Sequence, residues 1–181
     1  MGVYVALLRG INVSGHNIIK MAELKQALST LGFKNVVSYI QSGNLIFESD
    51  LNSVSELKVM IERKIKEIFD LDVHCFVYSK IEFQDNFKNI SYIEDPEVNT
   101  KGLYFIHLEK KPDPGLYASI SENKTYTEEM ELNGNMIYVN YINGAGRSKL
   151  SNKVFETKLK MKATARNFNT MKHLNDSLTL L

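Results

Sequence analysis

Six consecutive residues near the start, Val3-Tyr4-Val5-Ala6-Leu7-Leu8, are apolar or aromatic without strict alternation. A strand with one wet face alternates, whereas an unbroken run reads as a strand covered on both faces, and so a central one. The run ends in Arg9, and a guanidinium at the end of a buried strand is costly unless it is paired or meets an anion. Gly10 and Asn12 follow, two residue types that suit a tight turn with exposed backbone N–H groups. A basic, turn-shaped site is therefore expected at the lip of the core.

The 181 residues suffice for one large domain or two small packed halves with a real core. After a loop at Ser14-Gly15-His16-Asn17, the segment from Ile18 to Leu31 reads as a helix, with Leu24, Ala27, Leu28 and Leu31 on one stripe and Gly32 at its end. Asn35 to Ile40 is a strand. It is interrupted at Gln41-Ser42-Gly43-Asn44 and resumes at Leu45-Ile46-Phe47, as either a bulged long strand or a tight hairpin. Ser53 and Glu56 form a capping box ahead of a helix carrying Leu57, Ile61, Ile65 and Ile68. Val73 to Tyr78 is the next strand, and Ser79 to Ile90 a weaker helix.

A loop from Ser91 to Thr100, with Asp95-Pro96, is the expected boundary. Beyond it come a strand at Gly102 to Leu108, a short helix near Leu116 to Ile120, and two strands flanking Asn133-Gly134, a strong two-residue hairpin signal. Gly144-Ala145-Gly146-Arg147-Ser148-Lys149 then leads into a helix with Leu150, Val154, Phe155 and Leu159. The last helix, Asn169 to Leu180, carries Met171, Leu174 and Leu178. The order is β-α-β-α-β and then α-β-α-β-β-α-α, with no repeat at the level of residues. The expectation is an α+β fold of two packed halves, each a ferredoxin-like (split βαβ) layer. The halves fall at 1–90 and 101–181, the second ending in basic helices.

Four polar turns share one chemistry. Arg9-Gly10-Ile11-Asn12, Gln41-Ser42-Gly43-Asn44, Gly144 to Lys149, and Arg166-Asn167-Phe168-Asn169 combine tight turns or helix starts with donor side chains. Consecutive N–H groups make an anion nest, and a helix N-terminus adds its dipole. The candidate ligand-binding set is Arg9, Asn12, Gln41, Ser42, Asn44, Lys149, Ser151, Arg166 and Asn167, converging on a small phosphate- or carboxylate-bearing molecule between the halves. For each turn the competing reading is structural, with Ser148, Ser151, Asn167 or Asn169 serving as helix caps.

Other chemistries lack their patterns. Gly144 and Gly146 are too close for a phosphate-loop motif, and no G-x-G-x-x-G occurs. His16, His74, His107 and His173 are isolated, without metal-ligand spacing, and His107 reads as a structural strand residue. Ser42 lies outside a nucleophile elbow. Cys75, the single cysteine, sits in an apolar run and reads as a buried thiol. It excludes an intrachain disulfide, which suits a reducing compartment. With no apolar stretch long enough to span a bilayer and no basic start before one, the expected location is the cytoplasm. No cofactor, metal or catalytic base is indicated, and no reaction follows.

Net charge is +1, yet the stretch from Arg147 to Lys172 holds eight basic residues against Glu156, a local +7 that leaves the remainder at −6. That asymmetry supports an alternative, weak nucleic-acid binding by 147–172, across an open ferredoxin-like sheet. A third alternative is a protein-interaction module whose polar turns are purely structural.

From Tyr4 to Val13 the chain resembles a bacterial family catalogued as domain of unknown function 1697. The likeness continues through Lys20-Met21-Ala22-Glu23-Leu24, Leu31-Gly32-Phe33 and Tyr39 to Asn44, and returns at Gly146 to Asn152 and Ala163 to Thr170. The resemblance implies an α+β fold of two related halves in a cytosolic protein and brings no activity, cofactor or partner. In the last motif the family pattern T-T-R-N-W-N-T-V meets Ala165, Phe168 and Met171 here, which removes a hydroxyl and an indole N–H.

Overall fold

The structure is a computed structural model, in which residues 1–13, 15–91 and 99–181 are described. Ser14 and the Asp95-Pro96 centre of the expected boundary loop lie outside the described residues. The chain divides into two units, 1–85 with 174–181, and 86–173.

The first unit runs β1 (Gly2–Leu8), α1 (Met21–Ser29), β2 (Lys34–Tyr39), β3 (Asn44–Ser49), α2 (Val54–Phe69) and β4 (Cys75–Ser79). Its antiparallel sheet has the order β2-β3-β1-β4, so the apolar run at the start is an inner strand. Tyr39 pairs with Asn44, which resolves the interruption at 41–44 as a hairpin and gives the split βαβ order β-α-β-β-α-β. One face carries Tyr4, Ala6, Leu8 and Phe47 against Leu24 and Leu28 of α1 and Leu57, Ile61 and Ile65 of α2. The other face, Val5, Leu7, Ile46, Phe76 and Tyr78, is buried too, as the unbroken apolar run requires. Ser53 caps α2 as its sequence signature predicts, its hydroxyl accepting the Glu56 N–H at 3.2 Å. Ile68 departs from expectation: it is exposed, and Phe69 takes the next place on the stripe.

α3 (Lys80–Lys88) spans the division between the units. The second unit then repeats the order of the first: β5 (Leu103–Leu108), α4 (Pro114–Ser121), β6 (Glu129–Asn133), β7 (Met136–Asn140), α5 (Asn152–Leu159) and β8 (Ala163–Asn167), in the sheet order β6-β7-β5-β8. α6 (Phe168–Thr179) follows. β8 is a strand that the sequence pattern does not announce. Ala-Thr-Ala-Arg-Asn has weak β propensity, and pairing with β5 overrides it. The hairpin at 133–136 sits one residue later than its dipeptide signal. Asn133 pairs with Met136, so the loop is Gly134-Asn135 with Gly134 at φ +59°.

The repeat extends to single hydrogen bonds. The Leu8 N–H donates to Gly43 O at 2.8 Å, as the Leu108 N–H does to Asn135 O at 2.9 Å. Leu8 pairs with Cys75 as Leu108 pairs with Ala163. In the edge strands β4 and β8 the first N–H is taken up by a helix glutamate at 2.9 Å, Cys75 by Glu62 and Ala163 by Glu156. This protects an otherwise open sheet edge.

The second sheet also has both faces buried. Ile106, Ile137, Val139 and Ala163 meet Ile120, Phe155 and Leu159. On the opposite face Phe105, His107, Met136, Tyr138, Thr164 and Arg166 are buried, with Phe87 stacked on Phe105 at 5.9 Å. The open sheet expected for nucleic-acid binding is not found: among the described residues, the aromatic side chains of the inner strands are buried or half-buried, leaving no bare face for bases to stack on.

Candidate functional site

The antiparallel register brings two of the four polar turns together. Because Leu7 pairs with Asn44, the exit of β1 lies beside the β2–β3 turn. Gly43 makes the approach feasible. It has φ +79°, and an added Cβ would lie 2.7 Å from Leu8 Cβ and 2.8 Å from Ile11 Cδ1. Asn12, itself at φ +53°, clamps the two turns. Its Nδ2 donates to Ile19 O at 2.9 Å and to Gln41 O at 2.8 Å, while its Oδ1 accepts the Ile19 N–H at 2.8 Å. Asn44 is fully buried and donates to Tyr39 O and Ser42 Oγ, both at 3.0 Å. Asn12 and Asn44 thus build the lip, while Arg9 and Ser42 are partly exposed at it and Gln41 is exposed.

Next to this lip stands a cluster that the sequence does not reveal. The Arg9 N–H donates to His74 O at 2.9 Å. His74 Nδ1 is 3.4 Å from Glu62 Oε1, and its Nε2 is 3.3 Å from Lys58 Nζ. The carboxylate favours the tautomer with the proton on Nδ1, which leaves Nε2 to accept from the Lys58 ammonium. Lys58 and Glu62 are one helical turn apart in α2, a spacing that is readable. His74 lies outside the helix, and only the β1–β4 pairing places it there.

In the second unit the remaining candidates have different local roles. Lys149 is exposed in the 144–149 loop. Ser148 Oγ donates to Glu128 Oε1 at 2.5 Å and accepts the Leu150 N–H at 2.9 Å. Ser151 occupies the N-cap position of α5, but its side chain makes no capping bond. Asn167 Oδ1 accepts the Thr170 N–H at 2.9 Å, so it caps α6. Arg166 is buried and turned back along its own strand, its Nη1 donating to Thr164 Oγ1 and Ala165 O, both at 2.9 Å. It shares the buried face with His107, whose pKa burial holds well below its ordinary value, with the Arg166 charge adding to the effect.

At the exit of β5, in the place that Arg9 holds after β1, stands Glu109, whose Oε2 accepts the Lys162 N–H at 2.9 Å. It lines a cleft of about 440 Å³ with Glu156, Thr157, Lys160, Met161 and Lys162. The two units therefore carry opposite charge at equivalent strand exits. Among the described residues no group of three or more His, Cys, Asp or Glu could hold a metal ion, and no helix is long and apolar enough to cross a membrane.

The profile of a family described as "Protein of unknown function (DUF1697)" matches residues 1–138, which includes the turns at 9–12 and 41–44 and ends before those at 144–149 and 166–169. Among solved structures, a conserved bacterial protein, SP0830 from Streptococcus pneumoniae, is similar in fold, with a TM-score of 0.72 at 24% identity over 98% of each chain. Comparison with curated proteins finds no match.

Proposed function

We propose that this chain, which belongs to the DUF1697 family of proteins of unknown function, binds a small phosphate- or carboxylate-bearing molecule at the lip of its first sheet. Arg9, Gln41 and Ser42 are the ligand-facing residues, and Asn12 and Asn44 hold the turns. The observation that carries this reading is the reversal of charge between the two strand exits. The second unit fills the position with Glu109, a carboxylate anchored to its own backbone. The first unit fills it with Arg9, a partly exposed residue whose guanidinium is the group best suited to a bidentate carboxylate or phosphate. Asn12 and Asn44 hold the turns through hydrogen bonds within the protein, so little ordering entropy opposes binding.

The test is a thermal-shift screen with inorganic phosphate, sulfate, nucleotides, sugar phosphates and short oligonucleotides at low and moderate salt. A ligand at 100 times its Kd adds about 2.7 kcal/mol, or roughly 5–11 °C in a chain of this size. A salt-tolerant shift by one small anion, lost in Arg9→Ala and reduced in Gln41→Ala and Ser42→Ala, supports the reading. No shift with any anion refutes it. A shift confined to oligonucleotides, falling with a slope near −0.9 per phosphate neutralised on duplex DNA, replaces it with nucleic-acid binding.

A further inference from the structure

We infer that the anion taken at this lip carries an apolar group, and that Ile40 is the side chain that receives it. The inference rests on the anion reading and narrows its ligand class to alkyl or aryl phosphates and carboxylates.

Ile40 has φ +50°. The left-handed region is a genuine outlier for a β-branched residue, because its branched Cβ crowds the backbone there. The other positive-φ residues of the described chain are Asn12, Asn17, Asn35, Asp70, Lys160 and six glycines. Most of these types tolerate the conformation, and Asp70 and Lys160 follow the ends of α2 and α5. At position 40 the chain keeps a residue that resists it. Burial does not offset the strain, since Ile40 is 51% exposed. A strained residue persists where its surroundings or its function require it, and here burial supplies no requirement.

The neighbourhood says what such a side chain would meet. Ile40 precedes Gln41, whose carbonyl accepts from Asn12 Nδ2, and the same nitrogen donates to Ile19 O. Ile18, next to Ile19, is 61% exposed, and Val13, next to Asn12, is 55% exposed. One amide nitrogen therefore ties together three segments, each showing a branched apolar side chain to solvent. A single exposed apolar residue is ordinary, but here three exposed branched residues flank one bridge to the turn that Arg9 opens, an apolar rim along a cation-bearing turn. An anion with an attached hydrocarbon group complements both parts.

Calorimetric titration compares inorganic phosphate with phenyl phosphate, and acetate with octanoate, on the intact protein and on Ile40→Asn. In the parent the apolar member of a pair binds about five- to tenfold more tightly, the effect of covering half a large side chain. The phosphate and carboxylate pairs separately report which head group is preferred. Asparagine occupies three other left-handed positions here, so Ile40→Asn folds and raises Tm by about 2–4 °C through relief of strain. It binds inorganic phosphate or acetate as before and loses the preference for the apolar member. Equal affinity within both pairs in the parent, or a preference unchanged in Ile40→Asn, overturns this inference and leaves the anion site standing. A fall in Tm overturns it as well, by giving Ile40 a packing role. Binding of none of the four anions overturns both readings, and tighter self-association of the parent than of Ile40→Asn assigns the rim to a second copy.

Discussion

Replacing Gly43 with alanine separates two effects that are usually confounded. Gly43 and Gly10 both have positive φ, +79° and +66°. An alanine at either position meets the left-handed backbone cost, about 1–2 kcal/mol. At Gly10 a new Cβ has nothing within 4 Å, whereas at Gly43 it would lie 2.7 Å from Leu8 Cβ and 2.8 Å from Ile11 Cδ1. Leu8 Cβ is fixed to an inner strand whose N–H is bonded to Gly43 O, so relief requires a shift of the sheet. Overpacking of that kind adds about 1–3 kcal/mol. Gly10→Ala is therefore expected to lose about 1–2 kcal/mol, and Gly43→Ala roughly 2–5 kcal/mol. Urea denaturation followed by circular dichroism measures both, and an unchanged m-value shows that the denatured state is not the cause. If the two variants are equally stable within about 0.5 kcal/mol, additive within the usual error, the close approach of the 41–44 turn to the exit of β1 is wrong.

Other outcomes follow from the same geometry. Asn12→Ala removes three hydrogen bonds and a residue suited to φ +53°, and is expected to destabilise by about 2–3 kcal/mol. Asn12→Gly separates the bonds from the backbone, and a denaturation midpoint matching the parent would contradict the clamp. His107 has its pKa lowered in the folded state by burial and then by Arg166, from an ordinary 6.5. Its contribution is intact above that value. Below it the unfolded chain takes up a proton that the folded chain refuses, at about 1.4 kcal/mol per pH unit. His107→Gln should flatten the fall in stability between pH 6.5 and 5 relative to the parent, and parallel profiles would show that His107 does not resist protonation. Glu62→Ala and Glu156→Ala should each speed hydrogen exchange at one amide, Cys75 and Ala163 respectively, because each carboxylate accepts that N–H at 2.9 Å. Unaltered exchange at either amide would break the equivalence of the two edges.

How much was legible depends on how far apart the interacting residues lie. Short-range signals were sufficient where partners are near in sequence. The capping box at Ser53, the stripe Leu57, Ile61 and Ile65, and the unbroken run of β1 all appear as read. The hairpin at 133–136 was visible as a turn, but its register moved by one residue because strand pairing sets it. β8 is invisible to the sequence pattern because its alanines carry no strand preference and its identity comes from pairing with β5. At the candidate lip, the sequence picked Arg9, Asn12, Gln41, Ser42 and Asn44 as one chemical type without distinguishing their roles. The structure divides them by partners up to 29 residues apart, Asn12 and Asn44 into turn-building and Arg9, Gln41 and Ser42 into the exposed lip.

Periodicity and end signals, local properties of the chain, determined by themselves that β1 is central, that Arg9 stands at the edge of a core, and that an α+β protein results. The tertiary structure decided that the 41–44 turn meets the exit of β1, that Arg166 is buried beside His107 while Lys149 is exposed, and that the repeated topology carries opposite charge at its two strand exits. These depend on which distant strand becomes the neighbour. That choice is made by burying two faces of each sheet at once, and no window of sequence contains it.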